Sequence, residues 1–404
     1  MRARQGFCFL FGGKPMTKML ASVRNREEAE IVFQNGADII DMKDPDNGAL
    51  GAVDLSKVLE VKDFIAGRRP ISAACGDLPM HPETILKRVE QFASAGLDYI
   101  KIGLFPSEQL DVCIEALRPL ASHNKLIAVI FADNWNSYDE TLFERLSVCG
   151  FFGLMIDTAD KSKGRLLNHM SPDQIGKFIG SGQSHGLMVG VAGSLEAPDV
   201  SRLLTYDPDF MGFRGALCVD LNRRASIDAQ ATAKIRGLIP EMLEEGGAAS
   251  VDYKLLAARG YFPEPEEAGL GTDKIFVRDF VLPVYIGAYS FEHGKTQKVR
   301  FDVVAEVLRV TRNPEDMRHV VSYDLIMDGI RAIVAEGHVE LAETLAEQVA
   351  AFVLKNPRVI RVFVRAEKLE IGPGGVGVEI ERTREVKNSA KLRFTQVHGG
   401  RKSS

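Results

Sequence analysis

Apolar positions along this chain recur with two different periods. From Met19 to about residue 216, short apolar runs alternate with longer stretches whose apolar positions fall three and four apart. The strand candidates are residues 19–23, 37–44, 70–76, 97–104, 125–132, 151–159, 187–193 and 209–216. Between them lie amphipathic segments such as "REEAEIVFQNG", where Ala29, Val32 and Phe33 share one helical face. Gly36, Gly96 and Gly186 each fall just after such a segment and before a strand, where a helix C-terminal glycine belongs. Ser171, followed by Pro172 and Asp173, marks a helix start. Strand and helix alternating eight times predicts a parallel sheet covered by helices. At roughly 225 residues, that count fits a closed (β/α)8 TIM barrel, usually ~250 residues long. A doubly wound open sheet is the alternative, but no GxGxxG follows the first strand.

The alternation stops after residue 243. Residues 244–272 are rich in Glu, Gly, Ala and Pro and read as a linker. Beyond it the period changes to two. "DKIFVRDFVLPVYIGAY" and "QKVRFDVVAEVLRV" read as an antiparallel pair, "SYDLIMDGIRAIVAEG" and "ELAETLAEQVAAFVLKN" as two helices, and "VIRVFVRAEKLEI" and "GVGVEIERT" as two further strands. The order ββααββ predicts a second, α+β domain over 273–385, ahead of a polar, basic tail (386–404) expected to be disordered. The first domain is expected over 18–243, with 1–17 an extension.

Composition narrows the function classes. A net charge of −5 gives no support for nucleic acid as a partner. Five scattered cysteines with no CxxC pair predict reduced thiols and a cytoplasmic setting, with no metal site. The apolar run Phe7–Phe11 is too short to span a bilayer, and no other segment approaches eighteen apolar residues, so no membrane partner is expected.

The candidate chemistry lies at the C-terminal ends of the barrel strands, where such barrels build their sites. Lys43 ends strand two, Lys101 lies in strand four, and Lys161 follows strand six. Asp41 shares a strand face with Lys43, and Asp157 ends strand six. Lys101 has Tyr99 as its same-face neighbour and no acid in its own strand. Taken singly, Lys43 reads as a strand-end lysine reaching water, and Lys161 and Lys163 as solvated loop lysines. Together, three lysines at one mouth should depress one another's pKa and yield an amine nucleophile for a carbonyl carbon. Flanking carboxylates can then move protons. Gly193 and Ser194 after strand seven are expected at a helix N-terminus and, with Arg214 and Gly215 after strand eight, occupy the usual barrel phosphate position; the alternative for Arg214 is a structural pairing with an acid. The residues therefore imply a phosphate-binding, Schiff-base lyase or condensing enzyme that needs no cofactor.

At these positions, "ADIIDMKDPDNGALGA", "GLDYIKIGLF", "MIDTADKSKG", "GVAGSL" and "GFRGALC" resemble the (5-formylfuran-3-yl)methyl phosphate synthases of methanofuran biosynthesis. The resemblance implies condensation of two triose phosphates, with glyceraldehyde 3-phosphate supplied. It makes Lys43 the Schiff-base lysine and Lys101 and Lys161 essential, Lys161 assisting triose phosphate interconversion. In the second domain, "PVYIGAYSFEHGKTQKVRFDV", "VVSYDLIMDGI", "HVELAETLAEQVA" and "VFVRAEKLEIGPGGVGVEIER" are similar to dihydroneopterin aldolase. That likeness implies the tunnelling fold, with sheets joined between subunits and hence a homo-oligomer. Its motif residues fall on Glu292, Tyr323, Glu343 and Lys368: Glu343 anchors the pterin, Tyr323 lies beside the ring, and Lys368 moves protons. The loop after Lys368 departs from the family in being short and glycine-rich. Aldol cleavage, epimerisation and assembly alone all stay open for this domain. The alternative for the whole chain is a class I aldolase acting on another sugar phosphate, with the second domain serving only oligomerisation.

Overall fold

The computed structural model of the protein describes residues 17–139, 141–239, 270–371 and 374–384. The expected extension, linker and tail fall almost entirely outside these segments. Eight parallel strands close into a barrel: β1 (Lys18–Val23), β2 (Ile39–Met42), β3 (Ile71–Ala74), β4 (Tyr99–Gly103), β5 (Leu126–Phe131), β6 (Gly153–Asp157), β7 (Met188–Val191) and β8 (Phe210–Phe213). β8 pairs back onto β1, so the sheet has no edge and the open-sheet alternative is excluded.

Helices α1 (Arg26–Gln34), α2 (Leu55–Ile65), α3 (Pro82–Ala93), α4 (Leu110–Ala116), α5 (Arg118–Ala121), α6 (Leu142–Val148), α7 (Leu166–His169), α8 (Pro172–Ser184), α9 (Ala197–Leu204) and α10 (Ala229–Leu238) lie between and after the strands. The punctuation read from the sequence holds. Gly36, Gly96 and Gly186 sit at φ +86°, +62° and +75°, and Ser171 caps α8 in a reciprocal box with Gln174.

Alternation along the strands sorts residues between two environments. Outward side chains such as Ala21, Ile40, Ile100 and Ile156 join the large core under the helices. The lower inward layer is apolar, built from Leu20, Ile39, Ile127, Met155 and Phe210. Gly190 makes room there for the Phe210 ring, which a β-carbon would meet at 2.0 Å. The upper inward layer is polar, because the same faces continue to Ser22, Asp41, Lys101 and Asp157. A dry apolar floor under a layer of buried charge is what positions the site.

The second domain follows the expected order. Strands β9 (Thr272–Val284) and β10 (Gln297–Leu308), helices α11 (Tyr323–Ala335) and α12 (Ala342–Leu354), and strands β11 (Val359–Lys368) and β12 (Val376–Thr383) form an antiparallel sheet ordered β12-β11-β10-β9. Val299, Phe301, Val303, Ala305 and Val307 alternate along β10 and are buried in one core cluster with Ile330, Leu345 and Val349 of the helices. The domains meet where Arg202 of α9 grips Asp328 of α11 through two bonds, at 2.6 and 3.0 Å. Asp328 is buried and also accepts from Arg331 at 2.9 Å.

Candidate active site

The strand ends bring the three lysines and two aspartates together, but the pairing is not the one that strand neighbours suggest. Asp41 and Lys43 share a face of β2, yet Asp41 accepts from Lys101 of β4 at 2.6 Å. Lys43 instead reaches across the mouth to Asp157 at 3.0 Å. Lys101, which has no acid in its own strand, thus obtains one from a strand two places away. Ser22 of β1 also donates to Asp41 Oδ2, at 2.8 Å. Asp41 Oδ1 and Ser72 Oγ, in register on β2 and β3, are buried and meet no other polar atom among the described residues, so the floor keeps unused acceptor capacity.

Asp157 is the hub. One oxygen accepts from Lys43, and the other accepts from Lys161 and from the Thr158 N–H at 2.7 Å. Burial acts to raise its pKa, but the charges of Lys161 and Lys43 outweigh it and hold the group well below the usual carboxylate range. Asp157 is therefore ionised at any working pH.

The lysines differ in freedom. Lys161 Nζ spends all three donors, on Asp157, on the Thr158 carbonyl at 2.6 Å and on its hydroxyl at 2.8 Å. Burial, opposed by Asp157 and assisted by Lys43, brings its pKa from 10.5 to about 8. Lys101 is 2% exposed, and burial lowers its pKa against the pull of Asp41. Lys43 makes one hydrogen bond among the described residues and lines the cleft. Lys163 is solvated, 3.5 Å from Asp160.

Lys43, Lys101, Asp157 and Lys161 line an open cleft of about 230 Å³, which residues 192–196 and 212–216 line as well. Gly193 lies at φ +116°, and a β-carbon there would sit 3.0 Å from Leu166 Cβ, so both backbone and space require glycine. Ser194 follows at φ +53°. The expectation of a helix N-terminus here needs correcting. α9 starts only at Ala197, and its first turn is closed by a reciprocal cap between Glu196 and Asp199. The free donors belong to the loop instead: the N–H groups of Gly193, Ser194 and Leu195 bond to no described residue. Successive amides in such a left-handed turn make an anion nest.

Arg214 lines the same cleft, but its five N–H groups are all used within the fold. They go to Glu28 twice (2.6 and 3.1 Å), and to the carbonyls of Ser22, Arg223 and Ala225. No donor is left for a ligand, and of the two readings for Arg214 the pairing with an acid is the observed one. The partner acid Glu28 sits in α1, 186 residues away, beyond the reach of local pattern. Arg223, absent from the sequence reading, lines the cleft with a guanidinium that bonds to no described residue. Nothing in "LNRRAS" distinguishes it from Arg224, which pairs with Asp46 at the surface.

In the second domain Lys368 donates to Glu292 at 3.1 Å. The Tyr289 N–H, then Gln297, then Lys368 hold the Glu292 pKa down to about 2 against burial. Tyr323 and Glu343 are exposed, and neither bonds to Glu292 or Lys368 within this chain. No helix among the described residues is long and apolar enough to cross a membrane.

Comparison with known proteins finds two family matches along the chain. Residues 19–236 match the family model described as 4-HFC-P synthase, and residues 275–381 match that of dihydroneopterin aldolase. A protein of Methylorubrum extorquens is 36% identical over 217 residues, covering 54% of this chain and 89% of its own. The (5-formylfuran-3-yl)methyl phosphate synthase of Methanopyrus kandleri is 34% identical over 220 residues, 52% of this chain and 93% of that one. A crystal structure of dihydroneopterin aldolase from Burkholderia thailendensis bound to guanine is 31% identical, covering 28% of this chain and 93% of that one, with a TM-score of 0.26.

Proposed function

This chain belongs to the 4-HFC-P synthase family through residues 19–236, and on that footing we propose that its barrel condenses two triose phosphates into (5-formylfuran-3-yl)methyl phosphate by way of a lysine imine. The observation that carries the reading is the Asp157 carboxylate shared by Lys43 and Lys161 at the cleft that faces the nest. Lys43 is the nucleophile, because it faces the cleft with one hydrogen bond while Lys161 is saturated and Lys101 enclosed. Its neutral amine adds to a triose carbonyl and the carbinolamine loses water. The resulting imine acidifies the neighbouring C–H, and the enamine attacks the carbonyl of the second triose. Asp157 stabilises cationic nitrogen throughout, and Lys161 moves the protons of triose interconversion and elimination. Lys101 with Asp41 is the acid–base pair on the cleft floor. Arg214 serves by holding the β8 loop in place, and Gly193, Ser194 and Gly215 present backbone donors to a phosphoryl group.

The test is incubation with glyceraldehyde 3-phosphate and analysis of the product for the furan. A class I aldolase on another sugar phosphate would trap the same lysine, so product identity decides between them. A pH dependence follows from Lys161. Its folded pKa lies below the free value, so its amine becomes neutral as pH rises through about 8. Furan formation is expected to climb across that window when initial rates are read from pH 6 to 9, and a flat profile would remove Lys161 as a base. By linkage, the unfolded chain binds more protons between about 8 and 10.5, so this group's contribution to stability also rises there.

For the second domain we propose a pterin-directed lyase within a homo-oligomer whose sites complete between subunits. The separation of Tyr323 and Glu343 from the Glu292–Lys368 pair supports this arrangement. Lys368→Met is expected to abolish glycolaldehyde release from dihydroneopterin while leaving furan formation unchanged. Full pterin cleavage by that variant would leave the domain an assembly role. The cytoplasmic setting we propose rests on the free thiols of Cys75, Cys113, Cys149 and Cys218.

A further inference from the structure

Two triose phosphates bring two phosphoryl groups into the barrel, and the furan product keeps one. The balance is one furan phosphate, one inorganic phosphate and two waters. One C–O bond must therefore break with its electron pair leaving on phosphate, while a neighbouring carbon gives its proton to a base in the cleft. The nest at Gly193–Leu195 offers neutral backbone donors at a fixed place, suited to the phosphoryl group that stays. It offers no full positive charge to one that departs, and Arg214 has no donor left to supply it.

We propose that Arg223 is the residue that takes the departing phosphoryl group. Its guanidinium lines the cleft with Lys161 and Asp157 and bonds to no described residue. The rest of the fold holds its backbone in position. Arg214 Nε donates to the Arg223 carbonyl at 2.9 Å, Arg24 Nη1 donates to the Arg224 carbonyl at 3.1 Å, and Arg214 Nη2 donates to the Ala225 carbonyl at 3.0 Å. Both holding arginines are fastened to Glu28. Just before them the chain turns through Asp220 and Leu221 at φ +53° and +55°, a conformation that side chains rarely adopt. A strained turn and two arginines clamped on the buried Glu28 thus fix the backbone and leave one guanidinium unspent. A guanidinium matches a phosphate dianion with two parallel N–H donors, and its attraction grows as the C–O bond breaks and charge collects on the leaving oxygen. Partial burial lowers the Arg223 pKa but leaves a group that stays charged in any protein.

The proposal rests on the triose phosphate reading, and the experiment separates the two. Arg223→Met and Arg223→Lys in the full-length protein are compared with Arg224→Met, the surface neighbour, for furan turnover and for inhibition by inorganic phosphate. In Arg223→Met, loss of a charged hydrogen-bonding partner should raise the inhibition constant for phosphate and lower turnover by about tenfold to a hundredfold. Arg223→Lys should fall between, Arg224→Met should match the wild type, and borohydride should still label Lys43 in every variant. Unchanged phosphate inhibition and turnover in Arg223→Met would overturn the assignment. If the wild type makes no furan, the functional reading fails, and calorimetric binding of inorganic phosphate still decides Arg223. Weaker binding in Arg223→Met upholds its role, and equal binding ends it.

Discussion

Lys43→Ala is expected to abolish borohydride-trappable adduct and to reduce furan formation by at least about a thousandfold, as loss of a covalent nucleophile does. The fold should survive the change, because Asp157 keeps Lys161 and the Thr158 N–H as partners when Lys43 is removed. The variant separates the two lysines that share Asp157. If Lys161 were the nucleophile, Lys43→Ala would still give a labelled peptide, now mapped by mass spectrometry to the segment after β6. The hydrogen bonds argue against that outcome. An amine must present a lone pair to carbon, and Lys161 would first have to break three bonds, to Asp157 and twice to Thr158. Lys43 has one to break. Lys43→Arg is the sharper control, since it keeps a cation beside Asp157 yet cannot form an imine. It should be as inactive as the alanine variant while melting at the wild-type temperature.

The second large effect concerns the pair on the cleft floor. Lys101→Met should destabilise the barrel by about 3–5 kcal/mol, because Asp41, fully buried, would keep only the Ser22 hydroxyl as a partner. For a domain of this size that corresponds to a fall of about 6–20 °C in melting temperature. Trp135, the chain's single tryptophan, packs among Tyr138, Phe143 and Phe178 in the barrel, so its fluorescence reports unfolding of the first domain alone. Lys101→Met combined with Asp41→Leu removes both charges and should recover much of the lost stability, because the desolvation cost disappears with the charges. It should recover no activity. Stability and function would thereby separate at one pair: the buried charges cost stability and are retained for proton transfer. A Lys101→Met barrel that melts like the wild type would mean that Asp41 is protonated without its partner.

Much of this site is legible in the residue pattern. Lys43 and Lys161 fall just beyond β2 and β6, Lys101 lies within β4, and period-two alternation turns Asp41, Lys101 and Asp157 inward. Closure of eight strands then brings those ends to one mouth. The partners are not legible. Alternation associates Asp41 with Lys43, whereas distance gives it to Lys101, 60 positions away. The arginines show the same limit. Arg214 follows a strand in a family-like motif and reads as a ligand-binding cation, yet Glu28 and three carbonyls consume it. Arg223, in an unremarkable loop, keeps its guanidinium unspent.

What the sequence alone determined about this protein is its order: where strands and helices start and stop, where the period changes from barrel to antiparallel sheet, and which faces point inward. Those properties are local, set by side-chain spacing of two or 3.6 residues and by glycines that end helices. Which charge neutralises which is settled instead by the packing of the closed barrel. Hydrogen bonds depend on distances of about 3 Å between atoms that the chain separates by up to 200 positions, and no periodicity encodes them. The chemistry of this cleft depends on that second kind of information: one lysine left with a single bond, one saturated, and one arginine with donors to spare.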